Sequence, residues 1–198
     1  MTNVKIILAS SSPRRIEMFE KNGFNPEIIP SKADETIPVS MTKEQSVMYL
    51  ALKKALSVEN EWLTQNSIES DPACIIAADT IVYKDGIIGK PADYDDAVRI
   101  LKLLRNSCHY VVTGVAAIIA GKFQRKIFYD TTEVYFKNYS DMDIQYYIEN
   151  EEVLDKAGSY AIQSSIWRKN IDKISGDYNN VIGFPWDRFK QEFDALIK

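Results

Sequence analysis

The feature that most constrains the fold is a nearly continuous apolar run near the N-terminus, VKIILA (Val4–Ala9), which is followed at once by signals for a helix. Because strand side chains alternate between the two faces of a sheet, a run with so few polar residues is typical of a strand buried on both faces. Ser12 suits the N-cap of the next helix, and Pro13 suits its first turn, where the missing N–H carries no penalty. A doubly buried strand that runs directly into a helix predicts a sheet with helices packed against it.

Strand and helix signals follow one another irregularly along the rest of the chain. Further helices are predicted to begin near Thr42, Asp93, Ser140 and Pro185, where the following apolar residues recur at helical spacing. Strands are predicted at residues 25–29, 74–78, 81–83, 110–120 and 126–136. The polar stretch Glu59–Ala73 is predicted to be a fraying helix end and an exposed loop. Because strands and helices do not alternate strictly, we expect an α/β fold with a mixed sheet.

Length and composition narrow the class of protein. The chain has 198 residues, of which 45% are hydrophobic and 26% charged, and this fits one domain spanning residues 1–198. Its net charge of -4 argues against binding to a nucleic-acid polymer, because the phosphate backbone attracts basic surfaces. A cytoplasmic protein without a membrane partner is expected, since neither a leader pattern nor a membrane-length apolar run is visible. Cys74 and Cys108 are interpreted as buried, reduced thiols, with a disulfide as the less favoured alternative.

Two arginines stand where the N-terminus of the first helix is expected. Arg14 and Arg15 occupy its second and third positions, where a positive charge opposes the helix dipole. The serine turn before them directs backbone N–H groups outward, and an anion bound there would remove the conflict. The alternative is a pair of solvated arginines, and these residues alone leave both interpretations open.

A carboxylate follows the second buried strand. In IIAADT, Asp79 is expected at the strand end, where its burial is costly unless it is paired, metal-bound or in a cleft. Open α/β sheets collect catalytic groups at such strand ends. The alternative is that Asp79 begins an ordinary turn or caps Thr80.

Two further side chains could contact a nucleotide. Lys90 lies in GIIGKP, which is not a P-loop, because no glycine stands five residues before Gly89 and Pro91 replaces the required Ser or Thr. Lys90 is therefore either a phosphate contact or an exposed hairpin lysine. Gln163 closes LDKAGSYAIQ and either pairs with the edge of a nucleobase or is an ordinary loop amide.

The single histidine, His109, precedes an apolar strand and is interpreted as structural. Zinc is therefore not expected. Any metal ion is predicted to be a hard, oxygen-bound cation such as Mg²⁺ or Mn²⁺.

Five blocks of the sequence together resemble one known family. LASSSPRR, AADTIV with DGIIGKP, HYVVTGV, DKAGSYAIQ and GDYNNVIGFP are similar to the ordered signature blocks of the Maf family of nucleotide pyrophosphatases. Each block alone is weak, but five in the right order between Leu8 and Pro185 are specific. The resemblance implies the Maf/Ham1 (inosine-triphosphatase-like) fold, which is an elongated mixed β-sheet flanked by helices, with two lobes around a central cleft. It also implies a homodimer.

The same resemblance implies an activity. Maf proteins hydrolyse a nucleoside triphosphate to the monophosphate and pyrophosphate with the help of a divalent metal cation. The ADT and KAGSYAIQ patterns resemble the subgroup that prefers dTTP and UTP. The alternatives are a pyrophosphatase of other or modified purine nucleotides and a non-catalytic, nucleotide-binding regulator of cell division.

The family motifs also carry expected roles for individual residues. Asp79 matches the catalytic carboxylate that accepts a proton from the attacking water, and Glu35 matches an acidic position near the metal or the base. A cation is expected at Glu35 and Asp79. The residues expected to bind substrate are Ser10, Arg14, Arg15, Lys54, Thr80, Lys90 and Gln163.

Two positions depart from the family pattern. Ala161 stands where glycine is usual between the tyrosine and the isoleucine of the fourth block, and Phe184 replaces leucine in the last block. Glycine allows backbone geometries that alanine resists, so the backbone at Ala161 matters for the expected base preference.

Overall fold

The computed structural model describes residues 4–66 and 72–198, and their strands form a seven-stranded mixed sheet. The strands are β1 (Lys5–Leu8), β2 (Glu27–Ile28), β3 (Ala73–Tyr83), β4 (Ile87–Ile88), β5 (Cys108–Ile119), β6 (Arg125–Phe136) and β7 (Ile171–Ser175). The helices are α1 (Pro13–Lys21), α2 (Lys43–Gln65), α3 (Tyr94–Leu104), α4 (Asp141–Asn150), α5 (Tyr178–Ile182) and α6 (Trp186–Leu196).

The pairing of the strands confirms the predicted α/β class with a mixed sheet. The strand order is β2-β1-β3-β5-β6-β7, with β4 paired to β3. β1 runs parallel to both β2 and β3, whereas β4 is antiparallel to β3 and β7 is antiparallel to β6. The turn between β5 and β6 is too short for a crossover, so these neighbours are antiparallel as well. None of the helices in the described part of the chain is long and apolar enough to cross a bilayer.

The chain divides into two compact units. The first contains residues 1–79, 113–130 and 183–198, and the second contains residues 80–112 and 131–182. Three of the four boundaries fall within β3, β5 and β6, so each unit holds part of these three strands, and the fourth follows α5. The two lobes and the central cleft implied by the family resemblance stay a prediction.

In the first unit, α2 packs on the sheet along its predicted apolar face. Its start is fixed by a complete capping box, in which the Thr42 hydroxyl accepts from the Gln45 N–H and the Gln45 side chain accepts from the Thr42 N–H. The apolar core beneath it combines residues of β1, α2, β3 and β5, among them Ile7, Ala51, Ala55, Ile75, Ala77, Ala116 and Ile118. These alanines allow the helix to lie close to the strands.

The closest approach of helix and sheet is at Gly114 in β5. A Cβ atom placed there would lie 2.3 Å from the carbonyl carbon of Val47 and 2.6 Å from the backbone nitrogen of Met48. Because these are backbone atoms of α2, only a glycine allows the two elements to touch in this way. The glycine of the TGV block therefore fixes the position of α2.

The prediction for Glu59–Ala73 is wrong over its first half. α2 continues without interruption to Gln65, because Trp62 is buried and the carboxylate of buried Glu59 accepts a hydrogen bond from the Gly121 N–H at 3.0 Å. Residues 67–71, where an exposed loop was predicted, lie outside the described residues.

The second unit has its own aromatic core, which packs α3 and α4 together with β6 and the segment after α4. Its helix starts are as predicted, with the Asp93 carboxylate accepting from the Asp96 N–H at α3 and a capping box between Ser140 and Asp143 at α4. The large buried side chains of this core include Phe136, Tyr139, Tyr147, Tyr160 and Trp167.

Both cysteines are free thiols, as predicted. Cys74 is buried in β3, whereas Cys108 at the start of β5 is only half-buried, so the prediction of full burial is wrong for Cys108.

Candidate active site

A buried ion pair forms the centre of the candidate site in the first unit. Asp79 is 7% exposed, and its Oδ1 accepts a hydrogen bond from the Lys54 Nζ at 2.6 Å. Lys54 lies on α2 two turns after Val47, the residue in contact with Gly114, so the helix packing directs it to β3. Asp79 lies inside β3 rather than at its end, because the strand continues through Thr80 to Tyr83. The predicted position at a strand end is therefore wrong, and of the environments expected for a buried carboxylate the structure shows the paired one.

A second carboxylate contacts the same lysine. The Glu35 Oε1 lies 3.1 Å from the Lys54 Nζ, although the Glu35 side chain is 64% exposed. The preceding residue, Asp34, pairs with Lys53 at 3.1 Å and also accepts from Thr36, and these hydrogen bonds lower the pKa of Asp34. Consecutive lysines of α2 thus hold the acidic loop before the helix.

This arrangement suits a cation that is shared with a substrate. Asp79 and Glu35 contact one ammonium group and are therefore close in space, and carboxylate oxygens are the ligands that Mg²⁺ and Mn²⁺ prefer. Within residues 4–66 and 72–198, no three His, Cys, Asp or Glu residues form a group that could hold a metal ion. Mg²⁺ is often bound by one or two carboxylates plus substrate phosphates, and the donors present fit that mode.

The serine turn after β1 is tied to α1 by side chains. The Ser10 hydroxyl accepts from the Ser12 N–H at 3.2 Å and from the Arg15 Nη1 at 3.3 Å. The Arg15 Nε donates to the Gly183 carbonyl at 2.9 Å, so the guanidinium joins the turn to the GFP block. This contact was not predicted from the sequence, in which the two residues are 168 positions apart.

Arg15 belongs to the same electrostatic cluster as the two carboxylates. Burial lowers the pKa of Arg15 to about 10, and the charges of Asp79 and Glu35 act against that decrease whereas Arg14 adds to it. Arg15 therefore stays charged at neutral pH. Arg14 is half-buried at the second position of α1, as the sequence predicts, and its role in substrate choice stays a prediction.

The other predicted substrate contacts belong to the second unit. Thr80 follows Asp79 in β3 and is half-buried, whereas Lys90 is exposed on the loop after β4. Gln163 is exposed on the segment after α4. The loops of Lys90 and Gln163 are joined, because the Gly158 N–H donates to the Gly89 carbonyl at 3.0 Å.

Neither departure from the family pattern disturbs the structure. Left-handed φ angles occur at Gly158 (72°) and Ser159 (62°), whereas Ala161 is not among the residues with positive φ, so alanine is compatible with the backbone there. Phe184 is fully buried with ring centroids 5.1 Å from Phe19 and 5.0 Å from Phe189, so its larger ring fills an aromatic cluster.

Comparison with known proteins decides the family. Residues 5–196 match the family described as Maf-like protein. The chain belongs to the Maf family. This membership confirms the resemblance of the five sequence blocks, and the candidate site of this Maf protein contains residues of the first, second and fifth blocks together with Lys54 and Glu35.

Related proteins carry one activity in their names. A dTTP/UTP pyrophosphatase of Caldanaerobacter subterraneus is 43% identical over 197 residues, covering 96% of this chain and 90% of its own. One from Caldicellulosiruptor bescii is 42% identical over 182 residues, with coverages of 91% and 89%. The solved structure of the Staphylococcus aureus Ham1 protein shares 13% identity at a TM-score of 0.41 and covers 84% of this chain and 93% of its own, a likeness too low to argue from.

Proposed function

We propose that this Maf protein hydrolyses dTTP and UTP to the nucleoside monophosphate and pyrophosphate. Relatives that match more than nine-tenths of the chain at 42–43% identity are named for dTTP and UTP. The observation that carries the proposal is the contact of Lys54 with both Asp79 and Glu35, two acidic side chains whose charges also act on Arg15.

Asp79 is the general base in this proposal. Its Oδ1 is held by Lys54, so the carboxylate has a fixed orientation and its Oδ2 is the oxygen that takes the proton from the attacking water. Burial strengthens such interactions, because few solvent molecules compete for the carboxylate. The water attacks a phosphate of the substrate, and pyrophosphate leaves with the electrons of the broken P–O bond.

Positive charge stabilises the phosphate oxygens as the bond breaks. Lys54 and Arg15 of the first unit supply it. Glu35 and Asp79 would hold a Mg²⁺ or Mn²⁺ ion together with the substrate. When bound, such an ion neutralises charge on the triphosphate.

The homodimer and the cytoplasmic location expected for a Maf protein are part of the same proposal. The substrate is a small molecule in this view, and the net charge of -4 agrees with a protein that binds no nucleic-acid polymer.

A nucleotide panel with an Asp79→Asn variant tests the proposed function. Turnover of dTTP, UTP, ITP and XTP is measured with Mg²⁺, with Mn²⁺ and with EDTA, and pyrophosphate and single phosphate are assayed separately. We expect pyrophosphate from dTTP and UTP, no activity in EDTA, and a decrease in kcat of about 100-fold or more in Asp79→Asn, because general-base catalysis contributes that much.

Asp85→Asn is the matched control, because it also replaces a carboxylate by an amide, but on an exposed turn. Asp85 has a left-handed φ of 58°, which asparagine tolerates. Release of single phosphate would contradict the proposed cleavage position, and a preference for ITP or XTP would contradict the pyrimidine substrate. Full turnover by a folded Asp79→Asn variant would contradict the role of Asp79.

A further inference from the structure

A buried polar pair lies in the aromatic core of the second unit, and neither of its residues is among those predicted to bind substrate or metal. His109 is fully buried, and its Nε2 shares a hydrogen bond of 2.9 Å with the hydroxyl of Tyr160. Both rings pack on Phe136, with centroids 4.7 Å and 4.8 Å away. The His109 Nδ1 has no hydrogen-bond partner among the described residues, so the histidine makes its side-chain hydrogen bond to the tyrosine.

This pair does not serve stability alone. Placing an imidazole in an aromatic core with one unsatisfied nitrogen costs free energy, and an apolar ring of similar size would fill the same space. Desolvation, assisted by the charge of Lys84, lowers the pKa of His109 to about 3, so the ring is neutral at physiological pH and offers only a hydrogen bond. Such buried polar pairs specify one arrangement of the groups they join.

The tyrosine belongs to the segment that carries Gln163. Residues 158–162 and Ser164 are buried, and Gln163 is the exposed residue between them. In addition to the hydrogen bond between Tyr160 and His109, a second one holds this segment: the Ala161 N–H donates to the Tyr147 hydroxyl at 2.9 Å. On its far side the Ser164 hydroxyl donates to the Glu151 carboxylate at 2.7 Å. Every neighbour of Gln163 is therefore fixed, and its own side chain is presented outward.

The start of the segment is strained as well as anchored. Gly158 and Ser159 adopt left-handed φ angles of 72° and 62° in succession, and a Cβ on Gly158 would lie 2.7 Å from the Val82 side chain. A serine in this region costs free energy unless the surrounding contacts hold it. The contacts of Tyr160 and Ala161 are the ones that follow this turn directly.

We propose that His109 and Tyr160 are a positioning pair, which sets the backbone of residues 157–163 and thereby places the Gln163 amide against the nucleobase. The proposal rests on the proposed function, because it assigns base recognition to Gln163. The proposal assigns the pair to substrate discrimination rather than to the chemical step.

Tyr160→Phe removes only the hydroxyl and keeps the ring in its core. We expect the KM for UTP to rise about tenfold and the ratio of kcat/KM for UTP to that for ITP to fall by a similar factor, with kcat on UTP changing less than about twofold. Tenfold corresponds to one hydrogen bond in free energy.

Tyr139→Phe is the matched control. Its hydroxyl is also buried in this core, but its hydrogen bond is to the Leu101 carbonyl, at 2.6 Å, and not to the segment of residues 157–163. The two variants thus lose a buried hydroxyl each, and a purely structural effect would be the same in both. A second comparison uses two variants of His109. His109→Gln keeps a neutral hydrogen-bonding group and is expected to preserve the ratio of kcat/KM for UTP to that for ITP. His109→Leu removes that group and is expected to lower the ratio.

Hydrogen exchange separates this inference from the proposed function. Amide exchange at residues 161–164 is expected to be faster in Tyr160→Phe than in Tyr139→Phe at matched global stability, whether or not the wild type hydrolyses UTP. A wild-type protein without pyrophosphatase activity would overturn the proposed function. The exchange measurement would still test whether the His109–Tyr160 hydrogen bond holds residues 157–163. Equal exchange in the two variants, or equal UTP/ITP ratios in an active enzyme, would overturn the positioning role.

Discussion

Lys54 has two carboxylate partners of very different exposure. Asp79 is almost completely buried, whereas the Glu35 side chain is 64% exposed. If Asp79 loses its charge, Lys54 keeps Glu35 as a partner. If Lys54 is removed, the buried carboxylate loses its ion pair, although the charge of Arg15 still acts on it.

We therefore predict that Lys54→Met destabilises the protein more than Asp79→Asn. Removing the Lys54 ammonium leaves the Asp79 carboxylate buried without its ion-pair partner, which costs about 3 kcal/mol of stability. Replacing the carboxylate by an amide costs about 1 kcal/mol. Urea unfolding without nucleotide or divalent cation measures both values. Lys53→Met, which breaks an exposed pair with Asp34, is the control and is expected to change little. An equal loss in the two site variants would contradict this reading of the ion pair.

The sequence predicts these residues individually but not their contacts. Asp79 and Lys54 are 25 positions apart, and Arg15 and Gly183 are 168 apart. Local patterns carry no information about which distant side chains meet. Family motifs name the residues, and only the packing of α2 and α1 shows that Lys54 holds both acids and that Arg15 holds the serine turn.

At the level of elements, α2 is placed by a contact between backbones. Gly114 allows the second turn of the helix to touch β5, and Lys54 lies two turns further along the same helix. Any displacement of α2 at Gly114 is transmitted to Lys54, because a capped helix moves as a rigid body.

We predict that Gly114→Ala destabilises the protein by about 3 kcal/mol or more. The added methyl meets the Val47 and Met48 backbone, which cannot move aside as a flexible side chain does. Gly86→Ala is the matched control, since nothing lies within 4 Å of its Cβ position. The shift in urea midpoint between the two variants measures the effect, and similar midpoints would show that α2 adapts to the methyl.

Elements with local signals are predicted well. The caps at Thr42, Asp93 and Ser140 each have a side-chain acceptor three residues before the N–H they bind, and all three helices begin there. β7 and α5 are five residues long, too short for a hydrophobic period, and neither was predicted. The end of α2 was misplaced because Glu59 and Trp62 are held by tertiary contacts.

For the whole molecule, buried neutral groups define the pH range of stability. Burial lowers the pKa of His109 from 6.5 to about 3 and raises the pKa of the Cys74 thiol from 9.0 to about 12. Burial also raises the pKa of Tyr160 and of Tyr139. The unfolded chain binds a proton at His109 below pH 6.5 and releases one from Cys74 above pH 9, whereas the folded chain does neither until more extreme pH.

We predict a stability maximum between about pH 6.5 and pH 9. Below pH 6.5 the free energy of unfolding falls by about 1 kcal/mol per pH unit, since unfolding takes up the His109 proton. Urea unfolding at a series of pH values measures the slope. Between about pH 6.5 and pH 4, before carboxylates protonate, the slope of the free energy of unfolding against pH is expected to be smaller in His109→Gln. An unchanged slope in that variant would assign the acid sensitivity to another group.

The exposed position of Gln163 among buried neighbours has a consequence for the evolution of the enzyme. Substitutions at exposed sites change folding free energy by about 0.5 kcal/mol or less, so residue 163 can vary without loss of the fold. Its neighbours cannot, because each is held by the core. With Gln163 in its proposed role of base recognition, single mutations at this one site can change the preferred nucleotide, while the scaffold that presents it is inherited unchanged.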